Sequence, residues 1–571
     1  MLQDEHGTHT ESADIANSFN RFFSSIGAKL ASEFPKGLQI VNPYPSFTHV
    51  FKFESIHPSA ILKQLQTLQC NKATGLDNID ARMLKDAAEV ICSPLTHIMN
   101  QSLRTGIIPF SWKKAKVTPI FKGDSPISPN NYRPISVLPV CMKLFERAIQ
   151  RQLVAYLKKH SVLCEQQSGF RERHSTHTAT SEVTDFILSN MDKGLKTGAV
   201  YLDLKKAFDS VDSETLLFKL QCLGIKDIEQ TWFKNYVNNR QQCVAHNANN
   251  SDDLFVNCGV PQGSILGPTL FVLFINDLST VVQTAKIVLY ADDTVLLYAA
   301  ESVEEIQHHL KTDLTAASDW FKNNKLHLNI AKCKWTLFGT KNKLQKTPVC
   351  DITIDGSALE HVDSYKYLGL NLDKCLSWQD HIEKLCKKLR QRLGVLRRVR
   401  PYLDQESATT LFNALVLPLV DYCDTVYGVC SKSLQCKVER LLYKGGRIIL
   451  DMPWDTPSRI VIEKLKWLTF PERLYFHRCI LVYKSQMGTL PPYINCKFQR
   501  LNHGYNTRNS SNLKLIKCKT NMGQRTLAFL GARNWNSLPR SVKSSPSVDV
   551  FKNELVKHIL NRRSHQYFIS L

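Results

Sequence analysis

The stretch LYADDTVLLY, residues 289–298, sets two adjacent carboxylates, Asp292 and Asp293, between the apolar runs Ile287-Val288-Leu289 and Val295-Leu296-Leu297. Short apolar runs rich in branched residues read as buried strands, so the acids fall near the tip of a tight hairpin. Along a straight strand successive side chains face opposite ways, but near a turn both can reach one site. Like charges at that range repel, and burying either one is expensive unless something neutralises it. A hard divalent cation such as Mg²⁺ is the natural partner. A third acid from another strand would complete the site, and Asp203 ends the apolar run in VYLDLKKAFDSVD, ahead of an apparent helix. Three carboxylates with two Mg²⁺ ions make a two-metal phosphoryl-transfer site. Taken alone, the ADD stretch reads better as a solvated turn, because acids are common in turns.

The 571 residues are enough for several domains, and 43% hydrophobic with 22% charged residues is a globular composition. Net charge is +22, which favours a polyanionic partner, nucleic acid ahead of an anionic membrane. Seventeen cysteines lack the CxxC pairs of a zinc ribbon and read as reduced thiols of an intracellular protein. MLQDEHGTHTESAD has neither the basic nor the apolar region of a signal peptide. The most apolar stretches, SILGPTLFVLFINDL and TLFNALVLPLVDYC, are too short to span a bilayer and carry Asp277 and Asp421, so a soluble protein is expected.

Periodicity predicts helices in ADIANSFNRFFSSIGAKLASEF and in CMKLFERAIQRQLVAYLKKH, the latter with Met142, Leu144, Ile149, Leu153 and Leu157 apolar. Strands are predicted in GAVYLDL and KIVLYADDTVLLYA, with helical stretches between them. That mixture implies an α+β domain with a mostly antiparallel sheet. From about residue 376 the chain turns helical and basic. In residues 384–400, Leu385, Leu389, Leu393, Leu396 and Val399 share one helical face, and the rest carries eight Lys or Arg and no acid.

Several stretches, taken in order, resemble the reverse transcriptases of non-LTR (LINE-type) retrotransposons, in particular the jockey-like branch. NKATGLDNIDARMLK resembles their extra N-terminal motif. VTPIFKGD with NYRPISVLPVCMKLFERAI, and EQQSGFRERHSTHTAT, resemble the two fingers motifs. VYLDLKKAFDSVD, CGVPQGSILGPTLFVLFINDL, LYADDTVLLY, LHLNIAKCKWTLFG and SYKYLGLNLD resemble motifs A to E. The resemblance is strong over residues 60–375 and looser in GARNWNSLPRSVKSSPSVDVFKNELVKHI.

The resemblance implies a right-hand polymerase fold. It consists of an N-terminal extension or connector (1–59), fingers and palm (60–374), a basic helical thumb (375–450) and a mainly α-helical C-terminal extension (451–571). It implies RNA-directed DNA synthesis from dNTPs on a primed RNA template, in target-primed copying, with two Mg²⁺ ions and Mn²⁺ as a substitute. Asp203, Asp292, Asp293 and the Leu204 carbonyl match the metal ligands, while Asp209 and Asp212 read as structural. Phe208 matches an aromatic steric gate against the ribose 2′-hydroxyl. Gln262 and Gly263 of the glycine-rich turn, together with Arg171, match contacts to the incoming dNTP. Lys122 and Arg133 are weaker candidates of the same kind. Lys332 matches a general acid for pyrophosphate, with Lys334 its neighbour. Tyr367, Leu368 and Gly369 match the primer grip, and Lys388 and Arg392 of the basic helix would track duplex phosphates.

No endonuclease or RNase H pattern is evident, so cutting is expected from a separate or missing segment. Action in the nucleus is expected from the mechanism. The alternatives are a catalytically inactive relic that binds nucleic acid only, a group II intron maturase, disfavoured by the absence of an HNH cluster, and an RNA polymerase, disfavoured by Phe208.

Overall fold

The computed structural model describes residues 1–5, 7–35, 41–348, 351–501 and 511–569, with residues 564–569 described by backbone alone. Its centre is a five-stranded sheet in the order Glu360–His361, Lys334–Phe338, Lys196–Leu202, Asp293–Ala300, Lys286–Tyr290. Every neighbouring pair is antiparallel except Lys334–Phe338 with Glu360–His361. The central strand reads as a continuous apolar run because the sheet is covered on both faces. Val200, Leu202, Leu289 and Leu296 enter one core, and Ala199, Tyr201, Val288 and Val295 enter another. Over the first face the helix Val303–Asn323 crosses Gly198, where an added Cβ would lie 2.5 Å from Ile306 Cγ2. Over the second lies the helix Thr176–Asp192, which buries Val183 and Ile187.

A second sheet runs Tyr132–Val137, Lys114–Phe121, Arg240–His246, Asn249–Asn250, with Leu254–Val256 also paired to Arg240–His246. The predicted N-terminal helix forms as Ser12–Ser32 and packs on this sheet. It sends Ile15, Phe19 and Phe23 into the same core as the first face of the central sheet. The helix Val140–Lys159 buries Met142, Leu144, Ile149, Leu153 and Leu157, as its spacing predicts.

The basic stretch lies in the helix Gln379–Val399, which buries Leu385, Leu389, Leu393 and Leu396; Val399, at its end, is half-buried. It packs against the helix Lys432–Leu450 at Gly445, where a Cβ would lie 2.3 Å from the Phe412 ring and 3.0 Å from Leu393. The helices Phe470–Gln486, Leu527–Asn536 and Val548–Ile569 enclose a third core that includes Cys479, Val482, Trp535 and Phe551. This C-terminal region docks on the helix Thr176–Asp192. The Asp192 carboxylate accepts from the Lys519 and Thr520 amides at 3.0 and 2.6 Å, and Asp185 accepts from the Leu527 amide at 2.7 Å. Among the described residues no helix is long and apolar enough to cross a membrane.

Candidate active site

Ladder register brings the acids together. Thr294 sits opposite Leu202, and Asp293 opposite Tyr290. Asp203 and Asp293 therefore occupy the next position of one ladder, where cross-strand neighbours share a face. Ala291 and Asp292 form the two-residue hairpin turn, and Ala291 takes a left-handed φ of 55°. The helix expected after Asp203 forms beyond an intervening turn. Lys205–Ser210 form turns, and the helix begins at Ser213, where Asp212 caps it by accepting from the Thr215 amide at 2.9 Å. The reason is the cap itself, since an N-cap acid leaves the preceding residues outside the helix. Asp209, the other acid read as structural, has its pKa pushed up to about 6 by burial.

Charge crowding is visible in the pKa values. Burial, then repulsion from Asp292 and Asp203, pushes Asp293 up to about 6. Asp292 is also raised, by burial first and then by Asp203. The positive charges of Lys122 and Arg133 oppose both shifts. These hard oxygen donors, crowded and only partly neutralised, suit a divalent ion. They are more widely spread than a preformed single-ion chelate. Among the described residues, the one set of His, Cys, Asp and Glu atoms all within 4.8 Å of one another is Asp421, Asp424 and His477. That set is an ion-pair network. Arg473 grips Asp421 with two bonds of 3.0 and 2.5 Å, and His477 Nδ1 lies 2.5 Å from Asp424.

Asp203 is oriented by a residue the sequence did not single out. Asn329 Nδ2 donates to Asp203 Oδ2 at 3.1 Å, and the Asn329 amide donates to the Asp203 carbonyl at 2.8 Å. The same loop carries Lys332, which is exposed, whereas Lys334 is engaged with Glu360 and the Ala331 carbonyl. Leu204 is buried and bridges to Leu328.

The Phe208 ring stacks on Phe271 with centroids 4.6 Å apart, and Phe170 approaches it edge-on at 6.2 Å. The Gln262 carbonyl accepts from the Ser136 amide at 2.7 Å, and its buried Oε1 has no partner. Gly263 is required at φ 116°, because a Cβ would lie 2.5 Å from the Ser136 carbonyl oxygen. Arg171 is turned inward, its guanidinium donating to the Cys164 and Gln167 carbonyls at 2.5 and 2.9 Å. In that position it holds a loop and does not point at open solvent.

Leu368 and Gly369 form the tip of the hairpin Ser364–Tyr367 with Leu370–Asp373, with φ 41° and 85°, which is a type I′ turn. Tyr422 Oη donates to the Leu368 carbonyl at 2.7 Å, which ties the turn to the helical region. Tyr367 is buried beneath it with its hydroxyl unpartnered. Lys388 and Arg392 lie exposed on the outer face of their helix.

Glu146 is a second residue that did not stand out. It sits on the apolar stripe of its helix, four residues after Met142 and three before Ile149, and that spacing was the available signal. Fully buried, it accepts from Tyr236 Oη and the Ile265 amide at 2.5 and 2.9 Å, and burial pushes its pKa up to about 7. It thereby anchors the chain entering the helix Gly267–Phe274 beside the glycine-rich turn.

Residues 114–372 match the family described as reverse transcriptase (RNA-dependent DNA polymerase). The chain is 31% identical over 410 residues to the RNA-directed DNA polymerase from mobile element jockey of Drosophila funebris, covering 70% of this chain and 44% of that protein. It is 30% identical over 436 residues to the probable RNA-directed DNA polymerase from transposon BS of Drosophila melanogaster, covering 74% and 48%. Against the X-element polymerase of Drosophila melanogaster it is 26% identical over 418 residues, covering 71% and 45%. The chain spans less than half the length of these curated relatives. With the matched segment enclosing all three converging aspartates, the chain belongs to the reverse transcriptases of non-LTR retrotransposons.

Proposed function

We propose that this chain is an RNA-directed DNA polymerase that joins dNTPs to a primer 3′ end on an RNA template, in target-primed copying. The observation that carries it is the meeting of Asp203, Asp292 and Asp293 at one end of the central ladder. These carboxylates, with the Leu204 carbonyl, would hold two Mg²⁺ ions, or Mn²⁺ in their place. The ions supply activation of the attacking hydroxyl and stabilisation of the leaving pyrophosphate. Lys122 and Arg133, whose charges oppose the raised pKa values of the acids, would meet the triphosphate. Phe208, braced by Phe271, excludes a 2′-hydroxyl beneath the incoming sugar. Gly263 lets the backbone approach the nascent pair beside Gln262. Lys332, exposed on the loop that orients Asp203, is the proton donor to pyrophosphate. Arg171 acts on the dNTP through the loop it clamps.

In this reading residues 60–374 are fingers and palm, 375–450 the thumb, 451–571 a helical extension and 1–59 an N-terminal extension or connector, whose helix Ser12–Ser32 packs on the second sheet. The turn Tyr367-Leu368-Gly369 positions the primer end. Lys388 and Arg392 contact duplex phosphates without reading sequence. Copying primed by a chromosomal target places the reaction in the nucleus.

The test is primer extension on a primed RNA template with purified protein, Mg²⁺ and dNTPs, beside the double variant Asp292→Ala, Asp293→Ala. Extension by the parent protein alone supports the reading. No extension by either, with primer–template binding retained, means a nucleic-acid-binding relic.

A further inference from the structure

The turn that carries Asp292 is not self-supporting. Ala291 holds a left-handed φ of 55° without being glycine, and it is buried, so its amide needs an acceptor inside the protein. That acceptor is Gln167, which is fully buried. Its Oε1 accepts from the Ala291 amide at 2.9 Å and from the Gly169 amide at 2.6 Å. The chain bearing Gln167 runs along the free edge of the Lys286–Tyr290 strand. The Leu289 amide donates to the Gln166 carbonyl at 2.9 Å, and the Ser168 amide to the Leu289 carbonyl at 2.8 Å. Gly169 permits the contact, since a Cβ there would lie 2.2 Å from the Ala291 nitrogen.

This edge segment is held from outside as well. Tyr493 Oη lies 2.8 Å from Ser168 Oγ and donates to Thr178 Oγ1 at 3.1 Å. Arg173 donates to the Gly488 carbonyl at 3.0 Å from the same side. Tyr493 sits in the C-terminal region, next to Lys497, which is ion-paired with Glu182 and Asp185 at 2.8 and 3.1 Å. A chain of direct contacts therefore runs from the C-terminal region through Tyr493, Ser168 and Gln167 to the backbone that aims Asp292.

We propose that Gln167 is a positioning residue for Asp292, and that the C-terminal helical region is part of the active-site scaffold, acting through Tyr493 on the segment that carries Gln167. The proposal rests on the polymerase reading for its consequence in catalysis. Without the Gln167 carboxamide the Ala291 amide is buried without an acceptor, and the turn shifts to find one. A small displacement of a reacting group costs about 100-fold in rate. Losing Tyr493 Oη loosens the segment without removing the acceptor, so its effect runs the same way and is smaller.

Full-length Gln167→Ala, Gln167→Glu and Tyr493→Phe proteins are compared with the parent. Hydrogen exchange over residues 286–296 is read without substrate, and primer extension is read as kcat, dNTP KM, primer–template Kd and half-saturating Mg²⁺. Faster exchange over 286–296 is expected in Gln167→Ala and, less, in Tyr493→Phe. Gln167→Ala should lose about 10- to 100-fold in kcat and require more Mg²⁺, with KM and Kd within about twofold. Gln167→Glu keeps an acceptor for both amides but loses the N–H that faces the Ala291 carbonyl and adds a buried acid, so its exchange should lie between those of the parent and Gln167→Ala. Unchanged exchange in both Gln167→Ala and Tyr493→Phe overturns the proposal, as does a loss of activity that tracks primer–template binding at constant Mg²⁺ requirement. If Gln167→Ala does not fold, the same readings on Tyr493→Phe decide. No extension by the parent protein defeats the polymerase reading and leaves the exchange comparison to judge the scaffold.

Discussion

Replacing Lys219 by methionine should unfold the region behind the active site more than any surface change could. Lys219 is fully buried on the helix Ser213–Cys222. Its ammonium donates to Asp277 Oδ1 at 2.6 Å and to the Phe274 carbonyl at 2.7 Å, and lies over the Trp320 ring at 4.5 Å. Trp320 Nε1 donates to the other Asp277 oxygen at 2.9 Å. The pair thus joins the helix after the Asp203 turn to the helix behind the glycine-rich turn and to Val303–Asn323. Desolvation makes such a pair no great source of stability, but removing one partner strands a buried charge, which costs about 3–5 kcal/mol. At about 2–4 °C per kcal/mol for a large domain, Lys219→Met should lower Tm by roughly 6–20 °C. The double variant Lys219→Met, Asp277→Asn removes the stranded charge and keeps an acceptor for Trp320, so it should recover most of the loss. Calorimetry on the full chain reads both. A Tm fall under about 2 °C for the single variant, or a double variant no better than the single, would refute the reasoning.

Three further outcomes are expected. Phe208→Ala should raise incorporation of ribonucleotides relative to deoxyribonucleotides by about 10- to 200-fold, the range a steric pocket contributes, read by competing rNTP and dNTP in primer extension. Asp293 has a raised pKa of about 6, so the metal-free fold binds an extra proton between the ordinary carboxylate range and pH 6. Metal affinity should therefore climb with pH through about 6 and level off above it, while this group makes the metal-free fold less stable above pH 6 than below it. Mn²⁺ titration against pH checks the first sign and thermal unfolding of the metal-free protein against pH the second, with Asp293→Asn as the flattened control in both. Lys388→Gln and Arg392→Gln should weaken primer–template binding on all sequences alike and reduce the slope of log K against log salt by about 0.9 per lost duplex contact.

Local chemistry carried much of the architecture. Apolar runs around LYADDTVLLY became the paired strands Lys286–Tyr290 and Asp293–Ala300, because residues that must leave water on both faces have few other places to go. The leucines of the basic helix fell on its buried side for the same reason. Boundaries fared less well where a side chain captured the backbone. Asp212 sets the start of the helix after Asp203 at Ser213, and the Arg171 guanidinium donates to two carbonyls of its own loop. Both are choices among hydrogen-bond partners of similar strength, which neighbours in space settle and neighbours in sequence do not.

By itself the sequence determined which acids are present and that they lie at the ends of apolar, strand-like runs. Strand ends and apolar periodicity are local properties of the chain. Only the tertiary structure decided that the pairing of Thr294 with Leu202 sets Asp203 beside Asp293 across 90 residues, that Asn329 orients Asp203, and that Gln167 accepts from the backbone of the turn that carries Asp292. Those pairings depend on which surfaces pack together, and a buried donor takes whichever acceptor the packing leaves within reach.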